Sequence, residues 1–271
     1  MSKTVDVKGV KFGGNNPLAL IAGPCVIESR EGCMAIAEQL VKLSQKQNIP
    51  LVFKASYDKA NRTSIHSYRG PGLEKGLEIL AEIKEKYNIP VLTDVHSVEE
   101  IKIASQVVDI IQLPAFMIRQ TDFVVAAGES GAVVNVKKAQ FAAPWDMVNV
   151  IKKIESTGNT KIMLTERGAS FGYNTLVADM RSLIIMGEMG YPVIFDATHS
   201  VQSPGGQGDT SGGDGRFAPY LAKAAAAVGV DGMFIETHPN PAEALSDGPN
   251  MIPLQDMGPL WKKLDAIDQI K

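Results

Sequence analysis

A (β/α)8 barrel is the fold this sequence predicts, and three observations predict it. Eight short apolar runs are each followed by a stretch with helical spacing. The runs are apolar throughout rather than alternately, as in a parallel sheet buried on both faces. The chain has 271 residues, 45% of them hydrophobic, which suits one barrel. A doubly wound open sheet is the alternative architecture. No G-x-G-x-x-G follows the first run, which weakens the dinucleotide-binding form of that alternative. Residues 1–271 read as one barrel domain without a low-complexity linker, with residues 1–13 as a small N-terminal hairpin.

The elements follow in order. Val5-Asp-Val7 and Val10-Lys-Phe12 flank Lys8-Gly9, the pattern of a hairpin. The first barrel run is Leu18–Ala22, with a helix over Arg30–Gln47. Leu51–Lys54 precedes a helix over Leu73–Lys86, and Val91–Asp94 one near Val98–Ser105. Ile110–Leu113 precedes Thr121–Glu129, and Val133–Val136 precedes Trp145–Glu155. Ile162–Thr165 precedes a helix over Thr175–Met189. Val193–Asp196 precedes Arg216–Val228, and Gly232–Glu236 precedes Leu254–Ile270. Pro50, Pro90 and Pro192 stand just before strands, where a missing N–H costs little. The Gly-rich run over 204–215 is the one long loop, and we expect it to be mobile.

Composition narrows the function. A net charge of −3 favours neither nucleic acid nor an anionic membrane. No signal peptide is legible, and no apolar run is long enough to span a bilayer. Two cysteines, Cys25 and Cys33, make no disulfide framework, so the cytoplasm is the expected compartment. Basic residues should then matter locally, in a site.

Barrel sites lie at the C-terminal ends of the strands, so those ends can be read as chemistry. They offer, in order, Cys25; Lys54, Ser56 and Lys59; Asp94 and His96; Gln112; Asn135, Lys137 and Lys138; Glu166 and Arg167; Asp196 and His199; Glu236 and His238. After the second strand, the stretch Lys59–Gly72 packs Lys59, Arg62, His66 and Arg69 among small polar residues and closes on Gly-Pro-Gly. Lysine and arginine in a loop are ordinarily solvated surface, but here the pattern recurs at other strand ends. Lys54, Lys59, Arg62, Lys137 and Arg167 would repel one another unless they faced phosphate or carboxylate groups. Cys25, His199, Glu236 and Asp247 form a second subset. A thiolate, an imidazole and two carboxylates suit a divalent transition metal such as Fe2+, Zn2+, Mn2+ or Co2+. A lone buried cysteine is more often an inert small hydrophobe, and Cys33 takes that reading.

Several stretches carry a specific resemblance. They are Phe53-Lys-Ala-Ser56, Lys59–Gly72, Ile111–Phe116, Asn135-Val-Lys-Lys138, Arg167–Tyr173 and Phe234–Pro239. Over almost its whole length the chain resembles the 3-deoxy-D-manno-octulosonate 8-phosphate synthases. The resemblance implies a (β/α)8 barrel, assembled as a homotetramer. Such a barrel condenses phosphoenolpyruvate with D-arabinose 5-phosphate for lipopolysaccharide synthesis. It further implies that Lys54, Ser56, Lys59, Gln112, Lys137 and Arg167 hold phosphoenolpyruvate, while Asn61, Arg62 and Thr63 hold the pentose phosphate. Phe116 would approach the site of a neighbouring subunit. Lys59, Asp94, His199 and Asp247 would take catalytic parts. The family has a metal-dependent class with Cys at the position of Cys25 and a metal-independent class with Asn there. Cys25, and Ser246 in place of a second Cys, point to the metal-dependent class.

Three other functions compete. The first is 3-deoxy-D-arabino-heptulosonate 7-phosphate synthase, which shares the barrel and the phosphoenolpyruvate half but takes erythrose 4-phosphate. It normally carries Lys-Pro-Arg-Thr-Ser where this chain has Lys59-Ala-Asn-Arg-Thr-Ser64. The second is a Schiff-base aldolase using Lys137 or Lys54, whose amines neighbouring cations could activate. The third is a barrel that binds sugar phosphates without catalysis.

Overall fold

The computed structural model describes residues 2–205 and 212–270. An antiparallel hairpin opens the chain, β1 (Val5–Val7) and β2 (Val10–Phe12). Six parallel strands follow: β3 (Ala19–Gly23), β4 (Leu51–Lys54), β5 (Val91–Asp94), β6 (Ile110–Leu113), β7 (Val133–Lys137) and β8 (Ile162–Glu166). Beyond β8, β9 (Ala169–Ser170) and β10 (Leu176–Val177) make a short antiparallel ribbon. The barrel resumes at β11 (Val193–Asp196). A second small pair, β12 (Gln202–Ser203) and β13 (Gly212–Gly213), precedes β14 (Gly232–His238), the last barrel strand. β15 (Ile252–Pro253) pairs with the upper end of β14. Parallel pairing runs from β3 through β8, then to β11 and β14, and β14 returns to β3. The eight-stranded sheet therefore closes, as the sequence predicts.

The helices are α1 (Arg30–Gln47), α2 (Leu73–Tyr87), α3 (Val98–Ala104), α4 (Thr121–Glu129), α5 (Met147–Glu155), α6 (Arg181–Gly187), α7 (Ala218–Val228) and α8 (Met257–Asp268). Local signals set several ends. Ser29 and Ser97 cap α1 and α3 by accepting from the N–H groups of Gly32 and Glu100. Asn48 and Asn88 end α1 and α2 in the left-handed conformation that asparagine tolerates. The carbonyls of Pro50, Pro90 and Pro192 accept from Leu20, Phe53 and Leu164, so each proline still serves the ladder. Among the described residues, no helix is long and apolar enough to cross a membrane.

Period-two alternation divides the apolar residues into two cores. Ala19, Ile21, Val52, Leu92, Ile110, Val133, Met163, Ile194 and Phe234 point into the barrel. Val5, Val7 and Phe12 join that interior cluster, so the hairpin plugs the barrel's N-terminal end. The opposite faces, such as Leu20, Phe53 and Ile111, pack against the helices in the larger outer core. Gly232 is where the plug comes closest: a Cβ there would stand 2.6 Å from Ile194 and 3.0 Å from Phe12.

Two expectations need correcting, and one falls outside the description. The helix predicted over Thr175–Met189 is confined to Arg181–Gly187, because Leu176–Val177 pairs with Ala169–Ser170 across a turn at Asn174 (φ 54°). The helices predicted to begin at Trp145, Arg216 and Leu254 open instead with single 3-10 turns, leaving the α-helices a little shorter. The expected mobility of the Gly-rich run falls on residues 206–211, outside the described residues.

Candidate active site

The alternation that fills the barrel also builds the site. Two residues above the apolar layer, side chains point inward again. Val52 is followed by Lys54, Leu92 by Asp94, Ile110 by Gln112, Val133 by Asn135 and Lys137, Ile194 by Asp196, and Phe234 by Glu236. All of these polar groups are buried. Above them a cavity of about 350 Å³ opens at the C-terminal mouth. Its wall includes Asn61, Arg62, Thr63 and Lys59 from the loop after β4, Phe116 after β6, Arg167 after β8, and His199 and Gln202 after β11.

Cations face the cavity with carboxylates behind them. Burial disfavours the charge on Lys59, yet the Cys25, Asp94, Glu236 and Asp247 acids around it hold its pKa well above the usual value. Burial instead pulls the pKa of Lys137 down, only partly offset by Asp196, whose Oδ2 lies 2.6 Å from Nζ. Arg167 is likewise lowered by burial. Among the described residues, Arg167 Nη1 and Arg62 Nε are buried without a hydrogen-bond partner. Buried donors without a partner are costly, and an anion in the cavity would satisfy them. Gln112 contributes a directed amide. Its Oε1 accepts from Asn135 Nδ2 at 3.1 Å, and Asn135 Oδ1 accepts from Thr165, which leaves the Gln112 NH2 for the cavity.

Cys25, Glu236 and Asp247 bring one ligand atom each within 4.8 Å of one another. Cys25 is fully buried, and burial together with the neighbouring Glu236 pushes its thiol far above the usual range. A divalent cation bound by this trio would favour the thiolate. Glu236 has one oxygen occupied, since Lys54 donates to Oε1 at 2.5 Å. Burial alone would raise the Glu236 pKa, but Lys54 and His199 hold it well below the carboxylate range. His199 stands at the edge of the trio, with Nε2 3.7 Å from Glu236 Oε2 and 3.8 Å from Asp247 Oδ2. Asp196 Oδ2 lies 2.8 Å from His199 Nδ1, a contact that puts the ring proton on Nδ1 and leaves Nε2 free as a donor atom. Asp247 reaches the mouth from a left-handed backbone (φ 53°), which aspartate tolerates better than most residues. The donor set therefore fits a transition metal, with three ligands close and His199 beside them.

Several predicted residues sit differently from expectation. Ser56 is beneath the floor and donates to Asp94 rather than facing the cavity. Lys54 lines the cavity, but its ammonium is committed to Glu236 and to the carbonyls of Cys25 and Pro24. Within the Lys59–Gly72 stretch, Arg69 pairs with Asp58 at the surface, and neither it nor His66 lines the cavity. Burial opposes the charge on Asp94, yet Lys59 and His96 hold its pKa well below the usual value. Two neighbours, Gln202 and Gln140, escaped the sequence reading, and Ser246 stands in it only as a mark of the metal-dependent class. Ser246 accepts from Arg62 Nη1 at 2.6 Å and lies 3.2 Å from Cys25 Sγ. Gln202 touches Arg167 and Asp247, and Gln140 has a buried Oε1 on the cavity wall without a partner among the described residues. Only Ser246, adjacent to Asp247, carried a positional signal.

Comparison with known proteins agrees with this geometry. The model of the DAHP synthetase I family matches residues 2–269. A protein of Geobacter metallireducens named 2-dehydro-3-deoxyphosphooctonate aldolase is 58% identical over 270 residues, covering 100% of this chain and 99% of that relative. A protein of the same name from Granulibacter bethesdensis is 60% identical over 267 residues, covering 98% and 95%. One from Geobacter sulfurreducens is 57% identical over 270 residues, covering 100% and 99%. The resemblance read from the Lys59–Gly72 stretch and its companions is borne out. The chain belongs to the DAHP synthetase I family, as a full-length relative of its 2-dehydro-3-deoxyphosphooctonate aldolases.

Proposed function

We propose that this protein condenses phosphoenolpyruvate with D-arabinose 5-phosphate and water, giving 3-deoxy-D-manno-octulosonate 8-phosphate and inorganic phosphate. One observation carries the reading: Lys54, Lys59, Arg62, Lys137 and Arg167 surround one cavity of about 350 Å³. Lys54 and Lys137 are paired with Glu236 and Asp196, but Arg62 and Arg167 keep buried donors without partners among the described residues, and these substrates bring two phosphates and a carboxylate to meet them. The relatives' printed name, which refers to a dehydro-deoxy-phosphooctonate, supports an eight-carbon product.

In this reading Lys59, Lys137, Arg167 and the Gln112 amide bind phosphoenolpyruvate. Lys54 contributes its charge through space and braces Glu236. Ser56 acts through Asp94. Asn61, Arg62 and Thr63 bind the pentose phosphate, Arg62 leaving its contacts with Ser246 and the Leu245 carbonyl to do so. C3 of phosphoenolpyruvate bonds to the aldehyde carbon, whose oxygen takes a proton. Water adds at C2, and the C2–O bond to phosphate then breaks. Orientation of two anionic partners and fixed positive charge supply most of the catalysis. Lys59, held cationic and close to Glu236, is placed to stabilise the charge that develops on the aldehyde oxygen as it takes that proton. Asp247 is placed to take one from water, and His199 Nε2 would do so only where it does not hold the cation.

Cys25, His199, Glu236 and Asp247 would hold a divalent cation, which when bound supplies Lewis-acid polarisation and orients water. A homotetramer in which the half-exposed Phe116 meets a neighbouring subunit's site belongs to the same proposal, as does a cytoplasmic location. Phosphate release tests it. The protein supplied with Co2+ should release phosphate from phosphoenolpyruvate only when arabinose 5-phosphate is present. Release without a pentose, or none with both substrates, contradicts the proposal.

A further inference from the structure

Gln202 joins the two halves of the site. It stands on β12, where the chain leaves the barrel mouth for the glycine-rich run. Its Oε1 accepts from Arg167 Nη2 at 2.9 Å, and its Nε2 donates to Asp247 Oδ1 at 3.3 Å. Partner chemistry fixes the sense of the amide, because a guanidinium only donates and a carboxylate only accepts. Each contact occupies one half of its partner and leaves the other half turned to the site, where the Cys25 thiol donates to Asp247 Oδ2. Arg167 keeps Nη1, which is buried and unpartnered among the described residues. Asp247 keeps Oδ2, 3.5 Å from Cys25 Sγ and 3.8 Å from His199 Nε2. A neutral acceptor holds a guanidinium without cancelling its charge, whereas a carboxylate there would compete with an anionic ligand.

From this geometry we infer that Gln202 is a positioning residue: one amide aims Arg167 at the phosphoenolpyruvate anion and Asp247 at the cation site. The inference rests on the proposed function, which makes phosphoenolpyruvate that anion. Supporting residues of this kind are where metal affinity and ligand orientation are tuned. It also predicts coupling, since a change at position 202 should be felt at both ends of the amide.

Two variants of the full chain test it. Gln202→Met removes both hydrogen bonds at similar size. Gln202→Glu keeps the shape and an acceptor for Arg167, but adds a charge and removes the donor to Asp247. The readouts are KM for each substrate at saturating Co2+, and Co2+ affinity from the visible absorption of the bound ion. Gln202→Met should weaken Co2+ binding and raise the phosphoenolpyruvate KM, each by about tenfold or more. Its arabinose 5-phosphate KM should change by less than about threefold. Gln202→Glu should raise the phosphoenolpyruvate KM by about tenfold despite its matching shape, because it neutralises Arg167. Wild-type values in both variants, or equal changes for the two substrates, would overturn the inference. If the wild-type protein does not turn over phosphoenolpyruvate, the proposed function fails and this inference falls with it. If the wild type does and both variants match it, the inference alone fails.

Discussion

Cys25 lies behind the cavity wall, and what shares its pocket decides its chemistry. Burial and Glu236 favour its protonated form, so binding a cation there must displace a proton. Cys25→Ala should therefore lose bound Zn2+ or Co2+ by elemental analysis, and activity with it. Cys25→Asn should lose the metal yet keep part of the activity, since an amide fills the space; full metal content in either variant would remove Cys25 from the ligand set. Arg62 gives a second test. Loss of a charge-assisted bond to a bound anion costs roughly 1.5–3 kcal/mol. Arg62→Ala should then raise the arabinose 5-phosphate KM about ten- to a hundredfold, and equal weakening of phosphoenolpyruvate would show the residue misplaced. Asp196 gives a third. Burial alone would raise its pKa, but His199 and Lys137 hold it far below the carboxylate range. The folded state then binds fewer protons than the unfolded one. Its stabilising contribution is complete above the unfolded pKa of about 4 and fades as pH falls below it. Asp196→Asn should make the acid-side fall in stability shallower between about pH 5 and pH 3 in urea titrations. An unchanged slope would mean that the carboxylate is not paired in solution.

At the scale of elements, the close approach of β3 and β4 sets the floor of the site. A Cβ on Gly23 would stand 1.9 Å from the Lys54 carbonyl, a backbone atom that cannot swing away. Gly23→Ala should destabilise the fold by about 3 kcal/mol or more in chemical denaturation, as overpacking does, and should disturb Lys54 and Glu236 with it. A wild-type midpoint would show that the strands have slack. The barrel strands were legible in the sequence because each is buried on both faces and reads as an unbroken apolar run. Asp94, Gln112, Lys137 and Glu236 were legible because they stand at the ends of those runs. Leu176–Val177 was not legible as a strand: its partner is a two-residue segment, and it lies inside a helically spaced stretch. Gln202, and the contacts that Ser246 makes, were missed for a related reason. Loop packing across the mouth gives them their roles, and no periodicity records which loops meet. Arg69 shows the converse, a cation in the right stretch that Asp58 holds at the surface.

Across the whole molecule, one alternation rule does two jobs. Inward residues low in the barrel are apolar and plugged by the β1–β2 hairpin, and inward residues two positions higher turn polar, with Lys54, Asp94, Asp196 and Glu236 charged. The hairpin thus supports the site from below, and none of its residues lines the cavity. Buried cations and acids at the mouth are poorly solvated, so their fields act strongly on a ligand that completes their pairing. The acceptor sugar is the claim on which this account turns, because a seven-carbon synthase would share the barrel and the phosphoenolpyruvate half. The most direct measurement is a competition. Co2+-loaded protein is given phosphoenolpyruvate with equal concentrations of arabinose 5-phosphate and erythrose 4-phosphate, and early products are identified by mass spectrometry. The eight-carbon sugar phosphate should dominate. A dominant seven-carbon product would contradict it.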